Sequence, residues 1–579
     1  MVVETLVGSP QFPQINSKIS PTNQAELDEA LNELEQNKGK WVQTSPAERK
    51  LILEQLLKDM TALMQRWVDA SLDARDLKQG TIEAGDEWAS AASTIRLLRL
   101  LRDSLDDIAK HGTPRIPGAV KTRADGTVSA QVFPQNTFDR LLFPGMTAEV
   151  WMQEGVTESN IKQHQAEMYR DKTHTGKVGL VLAAGNVSTL PPGDFLYHIF
   201  AADQVSILKM NPVNAYLGPL IEEGFKALID RGALRVVYGG IDVADYLIHH
   251  DLVEDIHLTG SDKTFEAITF GAGEEGQRNK ANRTPIMNKS FSAELGSISP
   301  TIVVPGPWTQ KEIDTQASEI ASMLTNNAGF MCVATRVIVN HKGWDQRDQL
   351  MTAIEKVFEG ASTRKAYYPG AHQRHETFVE AHPEAIQIGD GSGDKLPWTI
   401  IPDVDSEADD IVFHTEAFCS LFAETALEAD SVADYIDKAV EFANNRLWGT
   451  LTATLIIHPK SLKDPAVKAA LDRAEANLQY GSVCINVWGA MSYFLGLTTW
   501  GGIPGHDKYD VQSGIGYINN ALMFDRPVKS IIRRSFHQLS RPVVVTSKAY
   551  PEFARKFLYF ESNPSWGKLP SVVWTALQS

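Results

Sequence analysis

The sequence predicts an α/β protein built on two doubly wound parallel sheets. Three observations carry this. At 579 residues the chain exceeds one ordinary core, so two or three domains are expected. Apolar runs at Val178–Leu182 and Val205–Leu208, with weaker ones at Val236-Val237 and Ile256–Leu258, alternate with helical stretches over 214–230 and 241–250. Such alternation builds a parallel sheet with helices on both faces. A second set restarts at Thr301–Val304 and continues through Val333–Val339 and Leu451–Ile457.

The elements follow in order. Residues 1–23 are rich in Pro, Ser and Asn and read as a loose N-terminal arm. From Asn23 to about Gly112 the pattern is helical. Ser45-Pro46-Ala47-Glu48 supplies an N-cap, a Pro at the first helical position and a capping-box Glu. Leu51, Leu53, Leu56, Leu57, Met60 and Leu63 then recur at amphipathic spacing, and Ile95, Leu97, Leu98, Leu101 and Leu105 mark a second core helix. Short mixed segments with turns fill about 125–165. Gly271-Ala272-Gly273-Glu274-Glu275-Gly276 spells G-x-G-x-x-G but follows a helical stretch, and its acids sit where a phosphate would go. It reads as part of a surface insertion over roughly 270–289. The aromatic, Pro-containing stretch 538–579 is an extension of unassigned role.

Composition narrows the function. Hydrophobic content of 43% and charged content of 22% are those of a globular protein. A net charge of −17 disfavours nucleic acid and anionic membranes, though a helix N-terminus can still bind phosphate locally. Three cysteines, Cys332, Cys419 and Cys484, make no disulfide framework, so a reducing compartment is expected. No apolar run approaches the roughly 18 residues of a membrane span, and the N-terminus lacks the pattern of a leader, so the expected location is cytoplasmic. His249, His250, Asp251 and His257 are poor co-ligands, because adjacent histidines leave a helix in different directions, and no metal is assigned.

Three side chains suffice for covalent acyl chemistry. Cys332, in Asn326-Asn327-Ala328-Gly329-Phe330-Met331-Cys332, offers a nucleophilic thiol. Asn186, after Ala184-Gly185, offers an N–H to an oxyanion. Glu294, in Ala293-Glu294-Leu295-Gly296, offers a base for water. Each alone has a plainer reading: a packed cysteine, a capping Asn, a turn Glu. Lys209 ends an apolar strand, which would point it into the crevice where nucleotides bind in doubly wound folds. Thr259-Gly260-Ser261 turns from a strand into a helix whose N-terminus can face a pyrophosphate.

The order and settings of these motifs, together with Glu416-Ala417-Phe418, resemble the aldehyde dehydrogenase superfamily over about residues 45–530. The resemblance implies an aldehyde-dehydrogenase-like α/β fold, two doubly wound parallel-sheet domains plus a small β oligomerisation arm. Residues 24–130 and 165–292 would bind the dinucleotide and 293–510 would carry the nucleophile. Residues 131–164 and 511–537 would serve oligomerisation, giving a homodimer or homotetramer. It implies NAD or NADP as cofactor and a small aldehyde as substrate. Cys332, Glu294 and Asn186 would be catalytic, and Lys209, Gly260, Ser261, Glu416 and Phe418 would hold the cofactor. Pro212, Phe265 and Phe330 depart from the family pattern at positions near the cofactor and the thiol. Pro212 removes a ribose acceptor and leaves NAD and NADP both open. An acyl-transferring or acyl-reducing relative, and an inactive binding protein on the same fold, remain alternatives.

Overall fold

Alternating strand and helix close here into two sheets whose carboxyl ends meet at one cleft. A computed structural model describes residues 7–15, 17–171 and 173–579. The smaller sheet has six strands in the order Gly514–Ile515, Ser290–Glu294, Asp255–Thr259, Val178–Leu182, Val205–Lys209, Leu234–Val237. All run parallel except the short edge Gly514–Ile515. Val178–Leu182, Val205–Lys209 and Asp255–Thr259 are buried along their whole length, as expected where helices cover both faces. Register sets Leu182 beside Lys209 and Thr259 beside Glu294. The strand ends thus deliver Lys209, Thr259 and Glu294 to the same side.

The larger sheet has eleven strands. Its parallel centre runs Pro527–Arg533, Ser482–Ile485, Thr452–Ile456, Ser299–Val303, Thr335–His341, Leu421–Leu427, Trp398–Val404. Antiparallel strands Val120–Thr122, Val128–Phe133 and Thr147–Met152 extend one end, and Ile386–Ile388 the other. The strands expected to form a small arm are therefore continuous with this chain's own sheet. Pro527–Arg533 pairs with Thr147–Met152 on one side and Ser482–Ile485 on the other.

Helix boundaries follow local chemistry. Ser45 and Glu48 form the expected capping box at Pro46–Ala74, and Asn23 with Glu26 forms another at Gln24–Gln43. The stretch read as one helix over 214–230 is broken into a 3-10 turn at Pro212–Leu217 and helices Gly218–Gly224 and Lys226–Ile229. Pro212 opens the 3-10 turn at its first position and Pro219 sits second in the helix that follows, both in the first turn where a missing N–H costs nothing. The G-x-G-x-x-G segment starts in the turn that ends helix Asp262–Phe270 and runs into the first turn of helix Gly273–Ala281, rather than following a strand.

Residues 538–579, unassigned from sequence, form helices Tyr550–Ser562 and Leu569–Ala576. The first lies along Ala84–His111. Gly85 permits this approach, since a Cβ there would stand 2.5 Å from the Tyr550 ring. Glu561 locks it, accepting from Arg96 at 2.9 Å and Arg99 at 2.5 Å, while Arg96 also reaches Asp139 at 3.3 Å. All four side chains are buried. Burying ions is costly, but removing one partner costs more, because the others stay dry and unpaired. Replacing Glu561 with Ala should therefore destabilise the protein by about 3–5 kcal/mol in denaturant titration. The half-exposed Glu552→Ala on the same helix should stay within about 0.5 kcal/mol.

Candidate active site

Asn186, Gly260, Glu294, Cys332, Glu416 and Phe418 line one cavity of about 30 Å³ between the two sheets. Lys209 and Ser261 stand outside it. Cys332 follows helix Gln310–Thr325 and precedes strand Thr335–His341. Between them Asn327 (φ 49°), Ala328 (φ 56°) and Gly329 (φ 80°) are all left-handed. Only glycine fits at 329, where a Cβ would lie 2.4 Å from the Cys419 carbonyl oxygen.

Arg336 holds this loop in place. Its Nη1 donates to the carbonyls of Cys419 at 2.6 Å and Leu421 at 3.1 Å; its Nη2 donates to those of Gly329 and, at 3.4 Å, Met331. Asn327 Nδ2 donates to the carbonyls of Asn186 at 2.8 Å and Phe330 at 3.1 Å. Asn186 Nδ2 donates to the same Phe330 carbonyl at 3.0 Å. Arg75, whose Nε pairs with Glu87 at 3.1 Å, donates from Nη2 to the Asn186 carbonyl at 3.2 Å, and the Tyr367 hydroxyl lies 2.7 Å from that oxygen. Sequence reading missed the parts played by Arg336, Asn327, Arg75 and Tyr367. A signal existed for Arg336, a charge inside an otherwise apolar strand.

The groups of the cleft are buried, and their titrations follow from that. Burial raises Glu294 to about 7, with the Trp500 indole and Cys332 thiol close enough to moderate the rise. Glu294 Oε2 nonetheless meets no partner at hydrogen-bond geometry. Burial lifts Glu416 to about 7 against the pull of Arg336. Burial, then the Glu294 and Glu416 carboxylates, push the Cys332 thiol well above an ordinary cysteine. Lys209 is buried, has no hydrogen-bond or ion-pair partner among the described residues, and is lowered by burial to about 8.

The N-terminal residues share this cleft. Residues 1–6 and 16 of the expected loose arm lie outside the described residues; residues 7–15 are docked. The Gly8 amide donates to the His414 carbonyl at 2.7 Å, and the Glu416 amide donates to the Gly8 carbonyl at 3.0 Å. The Ser9 amide donates to Asp262 Oδ1 at 2.9 Å, and Lys263 Nζ to the Val7 carbonyl at 2.6 Å. Phe12 packs its ring 4.9 Å from Tyr368 and 5.3 Å from Phe418. Ser261 caps the helix Asp262–Phe270, accepting from the Thr264 amide. Phe265 turns away from this turn and stacks on Phe291 at 4.5 Å in the core. Phe330 joins the aromatic group beneath the thiol loop, 5.8 Å from Tyr368.

On its other side Cys332 borders a second cavity of about 260 Å³, reaching the C-terminal helix. Away from the cleft, Glu312, His458 and His537 place three potential ligand atoms together. The Lys460 amide donates to His458 Nδ1 at 3.1 Å, so Nε2 carries the proton and donates to Glu312 at 3.2 Å. Such a ring has no lone pair left for a metal.

Comparison with known proteins fits this geometry. Residues 153–397 match the model of the aldehyde dehydrogenase family. No curated protein matches the chain. Among solved structures, it is similar to an NADP-complexed glyceraldehyde-3-phosphate dehydrogenase from Methanocaldococcus jannaschii (TM-score 0.60, 16% identity, 89% of this chain and 95% of that one). Aldehyde dehydrogenase 21 from Physcomitrella patens, in complex with succinate, is similar at TM-score 0.60 and 15% identity (89% and 92%). A salicylaldehyde dehydrogenase from Pseudomonas putida is similar at TM-score 0.58 and 15% identity (91% and 96%). The fold is thus that of aldehyde dehydrogenases.

Because the thiol lies above the ordinary range, its thiolate is scarce at neutral pH. Iodoacetamide should label Cys332 slowly at pH 7, with the rate rising about tenfold per pH unit through pH 9, as followed by peptide mass spectrometry. A plateau below pH 8 would show a thiolate already stabilised.

Proposed function

We propose that this chain is a member of the aldehyde dehydrogenase superfamily that oxidises an aldehyde to a carboxylate with NAD or NADP through a covalent bond to Cys332. The observation that carries this reading is the convergence of Cys332, Glu294 and Asn186 on one dry cavity bordered by Glu416 and Phe418.

The residues present fit a nicotinamide dinucleotide. Lys209 offers a buried ammonium without a partner among the described residues, suited to the adenosine ribose. Gly260 and the start of helix Asp262–Phe270 would face the pyrophosphate, with Ser261 shaping the turn. Glu416 and Phe418 would hold the nicotinamide ribose. Pro212 and the Asn211 side chain, which accepts from the Val213 amide, offer the ribose no acidic partner, so both cofactors remain candidates. Residues 7–12 lie across the inner half of this path and must move aside for it.

The chain's own residues then act as follows. The Cys332 thiol gives its proton to Glu294, whose proton affinity burial has raised, and sulfur attacks the aldehyde carbon. The oxyanion takes hydrogen bonds from the Cys332 amide and from the second Nδ2 hydrogen of Asn186, whose first is held by Phe330. Bound cofactor supplies the acceptor for the hydride that leaves the aldehyde carbon, which converts the adduct on sulfur to a thioester. Glu294, again deprotonated, takes a proton from water as the water attacks the thioester. The carboxylate leaves and Cys332 recovers its proton. Across the whole sequence, aldehyde, water and oxidised cofactor become acid, reduced cofactor and a proton.

Replacing Cys332 with Ala should abolish aldehyde-dependent NAD(P)H formation while the circular dichroism spectrum stays that of the folded protein; retained turnover refutes the assignment. Asn186→Ala should lower kcat by about 10²–10³. As Glu294 serves as a base only when ionised, turnover should rise with pH through about 7, and Glu294→Gln should remove that limb.

A further inference from the structure

We propose that the substrate is an aldehyde with an extended apolar chain, and that Tyr550–Ser562, the first of the two C-terminal helices, forms one wall of the tunnel holding it. This rests on Cys332 as the nucleophile. The cavity of about 260 Å³ begins at Met331 and Cys332 and runs out to Val543, Val544 and the C-terminal helix. Its wall is an interlocked set of rings: Phe557 lies 5.7 Å from Phe143, 5.7 Å from Phe494 and 5.9 Å from Phe553. The acidic side chains that line it are already bonded to arginines. Arg75 meets Glu87 at 3.1 Å, Arg364 meets Asp86 at 2.5 Å, and Glu319 meets Arg534 at 2.9 Å and Arg541 at 3.4 Å. A polar substrate would shed its water against phenyl rings with little to replace it. Each methylene gains instead, by roughly fourfold in kcat/KM while the cavity still has room.

Aldehydes from acetaldehyde to decanal, with glycolaldehyde as the polar comparison, test this in the intact protein. The rate constant kcat/KM should climb with chain length, and Ala554→Phe, which fills the wall, should shift the preferred length downward. A flat or falling profile, or preference for aldehydes ending in a carboxylate that would engage Arg541, overturns the proposal. A binding arm separates it from the oxidation reading. Decanamide should slow iodoacetamide labelling of Cys332 more than acetamide does. Protection without any aldehyde turnover would keep the tunnel and remove the oxidation; equal effects of the two amides would remove the tunnel.

A separate observation carries a second inference: residues 7–12 are an internal latch over the dinucleotide path. The Gly8 carbonyl takes the Glu416 amide, Ser9 caps Asp262 at the helix N-terminus, and Phe12 covers Phe418. A cofactor held by Glu416 and Phe418 cannot share that space, so its apparent affinity falls by the fraction of molecules with the latch open. Gly8 makes the latch testable. Its φ is +105°, and a Cβ would stand 2.2 Å from Asp262 Oδ2, so Gly8→Val cannot dock. Calorimetry with NAD⁺ and NADP⁺ should find Gly8→Val binding at least about tenfold tighter than the parent chain. Ser9→Pro, which removes the amide given to Asp262, should act in the same direction. In the parent chain, bound cofactor should speed hydrogen exchange at residues 8 and 9. Equal affinity in all three proteins, or bound cofactor with those amides still protected, overturns the latch.

Discussion

One guanidinium fixes the reactive loop. Arg336 cannot lose its charge in a protein interior, so it must be surrounded by acceptors, and the carbonyls of Gly329, Met331, Cys419 and Leu421 supply them. Charge-assisted bonds of about 1.5–3 kcal/mol each outweigh the roughly 1–2 kcal/mol that each non-glycine residue costs in the left-handed region. That balance lets Asn327 and Ala328 hold conformations they would otherwise avoid. With the loop pinned, the thiol is placed where two cavities meet. The same cation draws on Glu416, tying the two flanks of the cleft electrostatically.

The two sheets divide the work. Parallel strands of the smaller one end together at Lys209, Thr259 and Glu294, while the larger one presents the thiol loop and the Glu416–Phe418 segment. Neither face is complete without the other. Because the space between them is small and shared with Ser9 and Phe12, water is scarce there. Carboxyls and thiol alike then favour their neutral forms, and outside the cavity burial likewise makes the Lys209 ammonium give up its proton more readily.

Much of this was legible from the chain, and the reasons for the rest are physical. Strand ends, the Ser45 capping box and the rejection of Gly271–Gly276 as a phosphate loop rest on local chemistry, which sequence carries directly. Asn186, Gly260, Glu294, Cys332, Glu416 and Phe418, which the family resemblance set together, line one cavity. Phe265, a departure from the family pattern near the expected cofactor path, is a core residue, and its direction depends on the Phe291 ring it stacks on. Arg336 and Asn327 act through distant carbonyls that no spacing predicts. Residues 7–15 read as loose because polar, Pro-rich composition describes a segment without a core of its own, and theirs is borrowed from the cleft. The C-terminal helices were unreadable for the same reason: Glu561 finds its arginines on a helix far away in sequence.

The merging of the expected arm into the large sheet bears on how such a chain avoids sticking to itself. Its outermost strands, Val120–Thr122 and Ile386–Ile388, have only three residues each, and Lys121 is exposed on the first. Long unpaired edges recruit further strands and seed aggregation, whereas brief, charged ones give an incoming backbone little to grip.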